Sequence, residues 1–166
     1  NTAELAAELR SSLDSFENTI STGNDTLDIV LTEHLIRCRQ GGVRLICMAD
    51  GSCLGFISTL DLISLFSNAL ENAYEAVAGL DEARREIELR VVERMGMVMI
   101  RIENEYEAPL DMRNGLPQTT KQDRSYHGFG MRSIRQTVEK YGGDLQVETE
   151  HHRFVLKVLI PVPKTD

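Results

Sequence analysis

The sequence predicts an α+β fold, a two-layer α/β sandwich in which three helices cover one face of a mixed sheet of about five strands. Two observations lead to this prediction. Segments with alternating apolar residues occur in pairs joined by short turns, as the strands of hairpins do. Helical segments with a one-sided or nearly continuous apolar surface lie between them, so each helix can bury a face against the sheet.

Composition narrows the class of protein. The chain has 166 residues, 42% of them hydrophobic, which is enough for one domain with its own core. A formal net charge of −8 provides no basic stripe, and this argues against contacts with nucleic acid or with a membrane surface. The 3 cysteines lack paired C-x-x-C spacing, so neither a zinc site nor a disulfide framework is indicated.

Two helices are predicted at the start of the chain. The first spans residues 2–20, where apolar residues recur at intervals of three and four in a narrow stripe of the coiled-coil kind. The stripe consists of Leu5, Leu9, Leu13, Phe16 and Ile20. It docks either on the domain or on a partner chain, and both remain open. The second helix is amphipathic, with Asn24 as its N-cap and Gly41 at its end.

Five or more strands are predicted before and after a long irregular segment, most clearly where apolar residues alternate at 87–91 and 98–102. The strands are residues 43–48, 54–57, 87–91, 98–102, 144–150 and 154–160. The segment 104–126 contains Pro109, Gly115 and Pro117 and has no sustained periodicity. Such a long loop inside a compact domain is typical of a lid, a binding loop or disorder.

A polar strip on the most apolar helix is the first candidate site. This helix is predicted over residues 61–80, with Thr59 as its cap, and Asn68, Asn72 and Glu75 fall within about 60° of one another on it. Because most of the circumference is apolar, we expect the amides to line a cleft. An amide oxygen could hold a nucleotide-bound magnesium ion there, although a solvated polar face is the simpler reading.

A glycine motif before a predicted helix at 131–141 is the second candidate. Gly128-Phe129-Gly130 would let the backbone approach an anion, which then faces the unpaired N–H groups and the positive end of the helix dipole. Ordinary helix capping is the alternative. The motif is neither a Walker loop nor the dinucleotide fingerprint, since Ser133 stands where the latter has its third glycine.

The third candidate lies in the long loop. Thr119, Thr120 and Lys121 could fold over phosphates with hydroxyl and ammonium groups. A phosphoryl group in transfer needs positive charge over its oxygens, so Lys121 is the candidate cation. Loops of this composition also serve solubility alone.

The motifs together resemble a known family. NALENAYEA, a strand ending in Ile102-Glu103-Asn104, GLPQTTKQD, HGFGMRSI and VEKYGG occur in the order found in the ATP-binding domain of the GHKL superfamily. That superfamily includes gyrase, heat-shock protein 90, MutL and histidine kinases. Over residues 22–162 the chain is most similar to the peptide quorum-sensing type of receptor histidine kinase. The resemblance implies a Bergerat-type sandwich that binds ATP with Mg²⁺ under a long mobile lid.

The resemblance also implies roles for individual residues. Asn68, Asn72 and Lys121 would be catalytic, and Asn72 would be the magnesium ligand. The nucleotide-binding set would be Asn68, Asn72, Glu75, Asn104, Thr119, Thr120, Lys121, His127, Gly128, Phe129, Gly130 and Met131. Within it, Gly128 and Gly130 are the phosphate-loop glycines, while Thr119 to Lys121 and His127 belong to the lid.

Two positions depart from the family pattern. Asn104 stands where most members have the aspartate that accepts a hydrogen bond from adenine, and an amide accepts that bond without charge assistance. Asn68 stands where hydrolytic members carry a glutamate that activates water. An amide cannot act as a base, so transfer to a protein acceptor is favoured over hydrolysis.

The implied protein is an ATP-dependent histidine kinase that phosphorylates a histidine outside this chain. Residues 1–22 would be the end of a dimerisation helix or a linker, and residues 23–166 the catalytic and ATP-binding domain. Its partners would be a histidine-bearing dimerisation domain and a response regulator, in a homodimeric parent with this domain in the cytoplasm and an anchor in the membrane. The alternatives are a nucleotide-degenerate interaction module and an anti-sigma-factor type serine kinase. We expect residues 105–126 to be poorly ordered without nucleotide.

Overall fold

The computed structural model describes residues 2–17, 20–107, 111–113, 116–118 and 127–165, and it describes side-chain surroundings at 2–11, 20–107 and 130–165. The helices are α1 (Thr2–Glu17), α2 (Asp25–Gln40), α3 (Thr59–Ala78) and α4 (His127–Lys140). The strands are β1 (Arg44–Ala49), β2 (Glu86–Arg94), β3 (Met97–Glu105), β4 (Asp111–Arg113), β5 (Leu116–Gln118), β6 (Asp144–Glu150) and β7 (Arg153–Pro161). Two short 3₁₀ helices cover Gly51–Leu54 and Glu82–Arg84.

The main sheet has five strands in the order β1-β2-β3-β7-β6 and confirms the predicted α+β class. Its first pair, β1 and β2, is parallel, and the other neighbouring pairs are antiparallel. A parallel pair needs a crossover connection, and α3 lies within it. The two hairpins predicted from alternation are present as β2–β3 and β6–β7.

One face of the sheet is covered by α2, α3 and α4, and the hydrophobic core lies between these layers. Alternate residues of β3 contribute to it: Val98, Ile100 and Ile102 are each at most 2% exposed. Asn104 continues the same row, so its side chain lies on the helix-covered face. The predicted cap of α2 is confirmed, since the Asn24 side chain accepts a hydrogen bond from the Leu27 backbone N–H.

The predicted strand at 54–57 was wrong. Gly51–Leu54 forms a 3₁₀ helix that Asp50 caps by accepting a hydrogen bond from the Ser52 backbone N–H. Leu54 and Ile57 are 0% and 4% exposed and belong to the core. A four-residue apolar run fits a buried connection as well as a strand, and periodicity does not distinguish them.

Two helix starts also differ from prediction. Ser58, one residue before the predicted cap, accepts the hydrogen bond from the Asp61 backbone N–H, and α3 begins at Thr59. α4 begins at His127, four residues before the predicted start, so Gly128 and Gly130 lie in the helix. Glycine destabilises a helix only weakly, and the packing of α4 on α3 outweighs this effect.

The long segment after β3 contains a two-stranded antiparallel pair, β4–β5, which alternation did not predict because each strand has three residues. The expected disorder of residues 105–126 concerns positions that mostly lie outside the described residues. Within the described ranges, no helix combines the length and the apolar character needed to span a bilayer.

Candidate functional site

The polar strip of α3 and the glycine motif of α4 meet where the two helices pack. A Cβ atom placed on Gly130 would lie 3.6 Å from Asn72 Oδ1 and 3.7 Å from Asn68 Oδ1. Both asparagines are half-buried, and Gly130 is buried. A glycine here keeps the space over the two amides free of a side chain.

Asn72 carries the clearest sign of a ligand. Its amide nitrogen, Nδ2, is buried and has no hydrogen-bond partner among the described residues. Buried polar groups are nearly always paired, because an unpaired donor costs about 1–3 kcal/mol. The amide offers an NH2 group that donates and a carbonyl oxygen that accepts, so it can hold a phosphate oxygen through Nδ2 or a cation through Oδ1. This chemistry fits a nucleotide phosphate with its metal ion.

Asn68 is held by two serines. Its Nδ2 donates to Ser64 Oγ at 3.3 Å, and Ser64 Oγ lies 3.1 Å from Ser133 Oγ of α4. Ser64 lies one helical turn before Asn68 on α3, whereas Ser133 had no predicted role in the site. No sequence signal pairs residues 69 positions apart, and only the crossing of α3 and α4 brings them together.

Asn104 is 2% exposed at the end of the buried row of β3. Its Nδ2 donates to the Glu105 backbone carbonyl at 2.9 Å. In register it lies between Ile87 of β2 and Phe154 of β7, so its surroundings are largely apolar. With the amide nitrogen engaged, the carbonyl oxygen is the group that could accept a hydrogen bond from a base.

The other proposed nucleotide contacts fall in three groups. Met131 is 3% exposed and packs in the hydrophobic core, whereas Glu75 is exposed on α3. His127, Gly128 and Phe129 form the first turn of α4, and their side chains lie outside the described residues. Thr119, Thr120 and Lys121 lie outside them altogether.

The donor set limits how a metal ion could be held. In the described parts of the chain, no three His, Cys, Asp or Glu side chains cluster as metal ligands. Magnesium commonly keeps several waters and takes substrate phosphates with only one or two protein ligands. The Asn72 amide therefore fits an ion held chiefly by phosphate oxygens and water.

A second contact between α3 and α4 involves Asp61, which the sequence analysis did not select. Its carboxylate accepts hydrogen bonds from Tyr141 Oη at 2.5 Å and Lys140 Nζ at 2.9 Å. Tyr141 Oη in turn accepts from the Ser58 backbone N–H at 3.0 Å. These donors lower the pKa of Asp61 to about 2, with the Tyr141 bond as the largest cause.

The fold is an α+β sandwich. Its candidate site is a polar cleft in which two asparagine amides of α3 face the glycine-containing start of α4. A family model described as the GHKL domain matches residues 57–161. The chain belongs to this family. No curated protein sequence is significantly similar to it.

Solved structures share the fold. The catalytic domain of histidine kinase ThkA, in a nucleotide-free form, has 17% identity and a TM-score of 0.64, with 85% of this chain and 93% of that chain covered. Histidine kinase AdeS of Acinetobacter baumannii has 15% identity and a TM-score of 0.53, with 84% and 64% covered. The Erythrobacter litoralis EL346 blue-light activated histidine kinase has 17% identity and a TM-score of 0.52, with 80% and 39% covered. This chain is thus similar in fold to histidine kinase catalytic domains.

Proposed function

We propose that this chain is the catalytic and ATP-binding domain of a sensor histidine kinase. It binds ATP with Mg²⁺ in the cleft between α3 and α4 and transfers the γ-phosphoryl group to a histidine outside the chain. The observation that carries the proposal is the buried Asn72 Nδ2, which has no partner among the described residues and lies against Gly130. A phosphate oxygen would satisfy this donor.

The residues of the cleft act by binding and orientation. Asn72 binds the phosphates and the metal, and Lys121 supplies positive charge from the segment between β5 and α4. Bound magnesium would neutralise charge on the phosphate oxygens during transfer. Asn68 cannot remove a proton from water, so the site favours a protein acceptor. Asn104 accepts a hydrogen bond from adenine through its carbonyl oxygen.

The longer protein is a homodimeric receptor of the peptide quorum-sensing type, with this domain in the cytoplasm, a membrane anchor and a response regulator as its partner. Residues 1–22 comprise the end of its dimerisation helix and the linker to this domain. The exposure of α1 supports this assignment: Leu5 and Leu9 are both 57% exposed, although their spacing is that of a buried stripe. A partner helix of the parent would cover them.

Calorimetry with ATP and Mg²⁺ tests the nucleotide site. Asn72→Ala removes both the phosphate donor Nδ2 and the metal ligand Oδ1. We expect affinity to fall tenfold or more, since one hydrogen bond to a charged group is by itself worth about 1.5–3 kcal/mol. Gln136→Ala removes an exposed amide from α4 and serves as the control, with unchanged affinity. Equal binding by the wild type and Asn72→Ala would contradict the proposal.

A nucleotide-degenerate module is the principal alternative. A thermal-shift measurement distinguishes this module from an ATP-binding domain, because a ligand at a hundred times its dissociation constant adds about 2.7 kcal/mol of stability. We expect millimolar ATP with Mg²⁺ to raise the melting temperature. The unpaired donor of Asn72 supports retained binding, since a module without a ligand gains nothing from burying it.

A further inference from the structure

Two serine hydroxyls meet between α3 and α4, next to the proposed phosphate site. Ser64 Oγ and Ser133 Oγ are 3.1 Å apart, and Ser64 Oγ also accepts a hydrogen bond from Asn68 Nδ2 at 3.3 Å. Their chain neighbours Leu65 and Ile134 are buried in the core. Half-buried hydroxyls beside apolar packing need partners, and the two serines supply one to each other.

The pair of serines, Ser64 and Ser133, determines which way the Asn68 amide points. Because Nδ2 is engaged by Ser64, the carbonyl oxygen is presented toward Gly130, 3.7 Å from the position of a Cβ there. Asn72 Oδ1 is 3.6 Å from the same point. Asn72 Nδ2 is 3.7 Å from it, so the whole Asn72 amide and the Asn68 oxygen face the start of α4. Oxygen is the ligand atom that magnesium prefers, and the Asn68 oxygen is turned to this side.

We propose that Ser133 is a positioning residue that acts through Ser64 to hold Asn68 with its amide oxygen toward the metal–phosphate group. Without the Ser133 hydroxyl, Ser64 loses the partner that fixes its rotamer and can turn to the backbone carbonyl four residues earlier, as serines in helices commonly do. Oγ then leaves the position in which it accepts from Asn68 Nδ2, and the Asn68 amide is free to rotate. The inference rests on the proposed function for its ligand, but the orientation itself does not depend on bound nucleotide.

The thermodynamic test compares ATP binding in magnesium with ATP binding in EDTA. We expect Ser133→Ala to weaken binding about threefold to tenfold in magnesium, the worth of one hydrogen bond, and to leave binding in EDTA unchanged. Ser64→Ala should have the same metal-specific effect. Ser133→Thr keeps the hydroxyl and should restore affinity, and Ser67→Ala, one turn from Ser64 on α3, should have no effect.

A second measurement needs no nucleotide. The ¹H–¹⁵N resonances of the Asn68 side-chain amide, assigned by their loss in Asn68→Asp, should shift in Ser133→Ala and Ser64→Ala but not in Ser67→Ala. Unchanged resonances in the serine variants would overturn the inference, as would equal losses of affinity in magnesium and EDTA, which indicate a merely structural role. If the wild type fails to bind ATP while the resonances shift as expected, the proposed function fails and the orientation by serines stands.

Discussion

At the residue scale, the uncharged amide of Asn104 is the most unusual feature of the proposed adenine contact. It is 2% exposed, and its donor is already committed to the Glu105 carbonyl. A carboxylate at this position would make a stronger, charge-assisted bond to an amino group, but it could not donate to that carbonyl. In the proposed site, Asn104 would therefore favour stability of the free domain over strength of nucleotide binding.

Replacing Asn104 with Asp tests this compromise. We expect ATP affinity in magnesium to rise about threefold to tenfold, while the free energy of unfolding without nucleotide falls by about 1–3 kcal/mol. Calorimetry measures the first quantity and urea denaturation the second. Glu105→Gln changes a charge beside Asn104 on the opposite sheet face and should leave affinity unchanged. Weaker ATP binding by Asn104→Asp would show that the oxygen of this side chain does not face the base.

At the element scale, the packing of α3 on α4 decides the geometry of the site, and polar contacts run along it. Asp61 joins the start of α3 to the end of α4 through Tyr141 and Lys140. Farther along α3, Ser64 meets Ser133, and Asn68 and Asn72 meet Gly130. The contact at Asp61 lies at the opposite end of α4 from the glycine motif.

The Asp61 contact predicts a dependence of stability on pH. Its folded pKa of about 2 is below the unfolded value of about 3.9, so its contribution is complete above about pH 4 and is lost as pH falls toward 2. Asp61→Asn should lower the free energy of unfolding at pH 7 by about 1–2 kcal/mol, and the difference from wild type should shrink below pH 4.

Chemical denaturation from pH 2 to pH 7 measures this difference. Asp81→Asn is the matched control, because the exposed Asp81 precedes a 3₁₀ helix without a side-chain capping bond. It should leave stability nearly unchanged. A difference between Asp61→Asn and the wild type that stays constant over the whole range would refute the assignment to the carboxylate.

At the scale of the whole molecule, the proposed reaction needs a second component. The sheet face opposite the helices carries ion pairs such as Arg44–Glu86, Arg153–Glu103 and Lys157–Glu148, as expected of a solvated surface. The histidines whose side chains the structure describes lie on elements other than α3 and α4. His34 lies on α2, and His151 and His152 form the turn between β6 and β7.

We therefore expect this chain alone, incubated with labelled ATP and Mg²⁺, to incorporate no phosphate. Addition of the histidine-bearing dimerisation domain of the proposed longer protein should produce label that acid removes and alkali preserves. Asn72→Ala is the negative control for that transfer. Label that survives acid would instead support the serine kinase alternative, and label on the isolated chain would contradict the missing-acceptor model.

Much of this architecture could be predicted because it depends on local periodicity. The hairpins β2–β3 and β6–β7 follow from alternation, and the polar strip on α3 follows from 3.6-residue spacing. The 3₁₀ helix at Gly51–Leu54 could not be recognised, because a short apolar run does not reveal whether it pairs with a strand or fills the core. The start of α4 was misplaced because glycine preference is a local property and helix packing is not.

By itself, the sequence determined the α+β class, the amides on one side of α3 and the absence of a carboxylate at Asn68, since these depend on residue identity and short-range spacing. Only the tertiary structure decided that Gly130 lies over Asn68 and Asn72, that Ser133 reaches Ser64, and that the Asn72 donor is left without a described partner. These contacts join residues about 60 positions apart or bury a polar atom between two helices. Chain spacing does not encode such neighbours, because they are set by how the helices cross over the sheet.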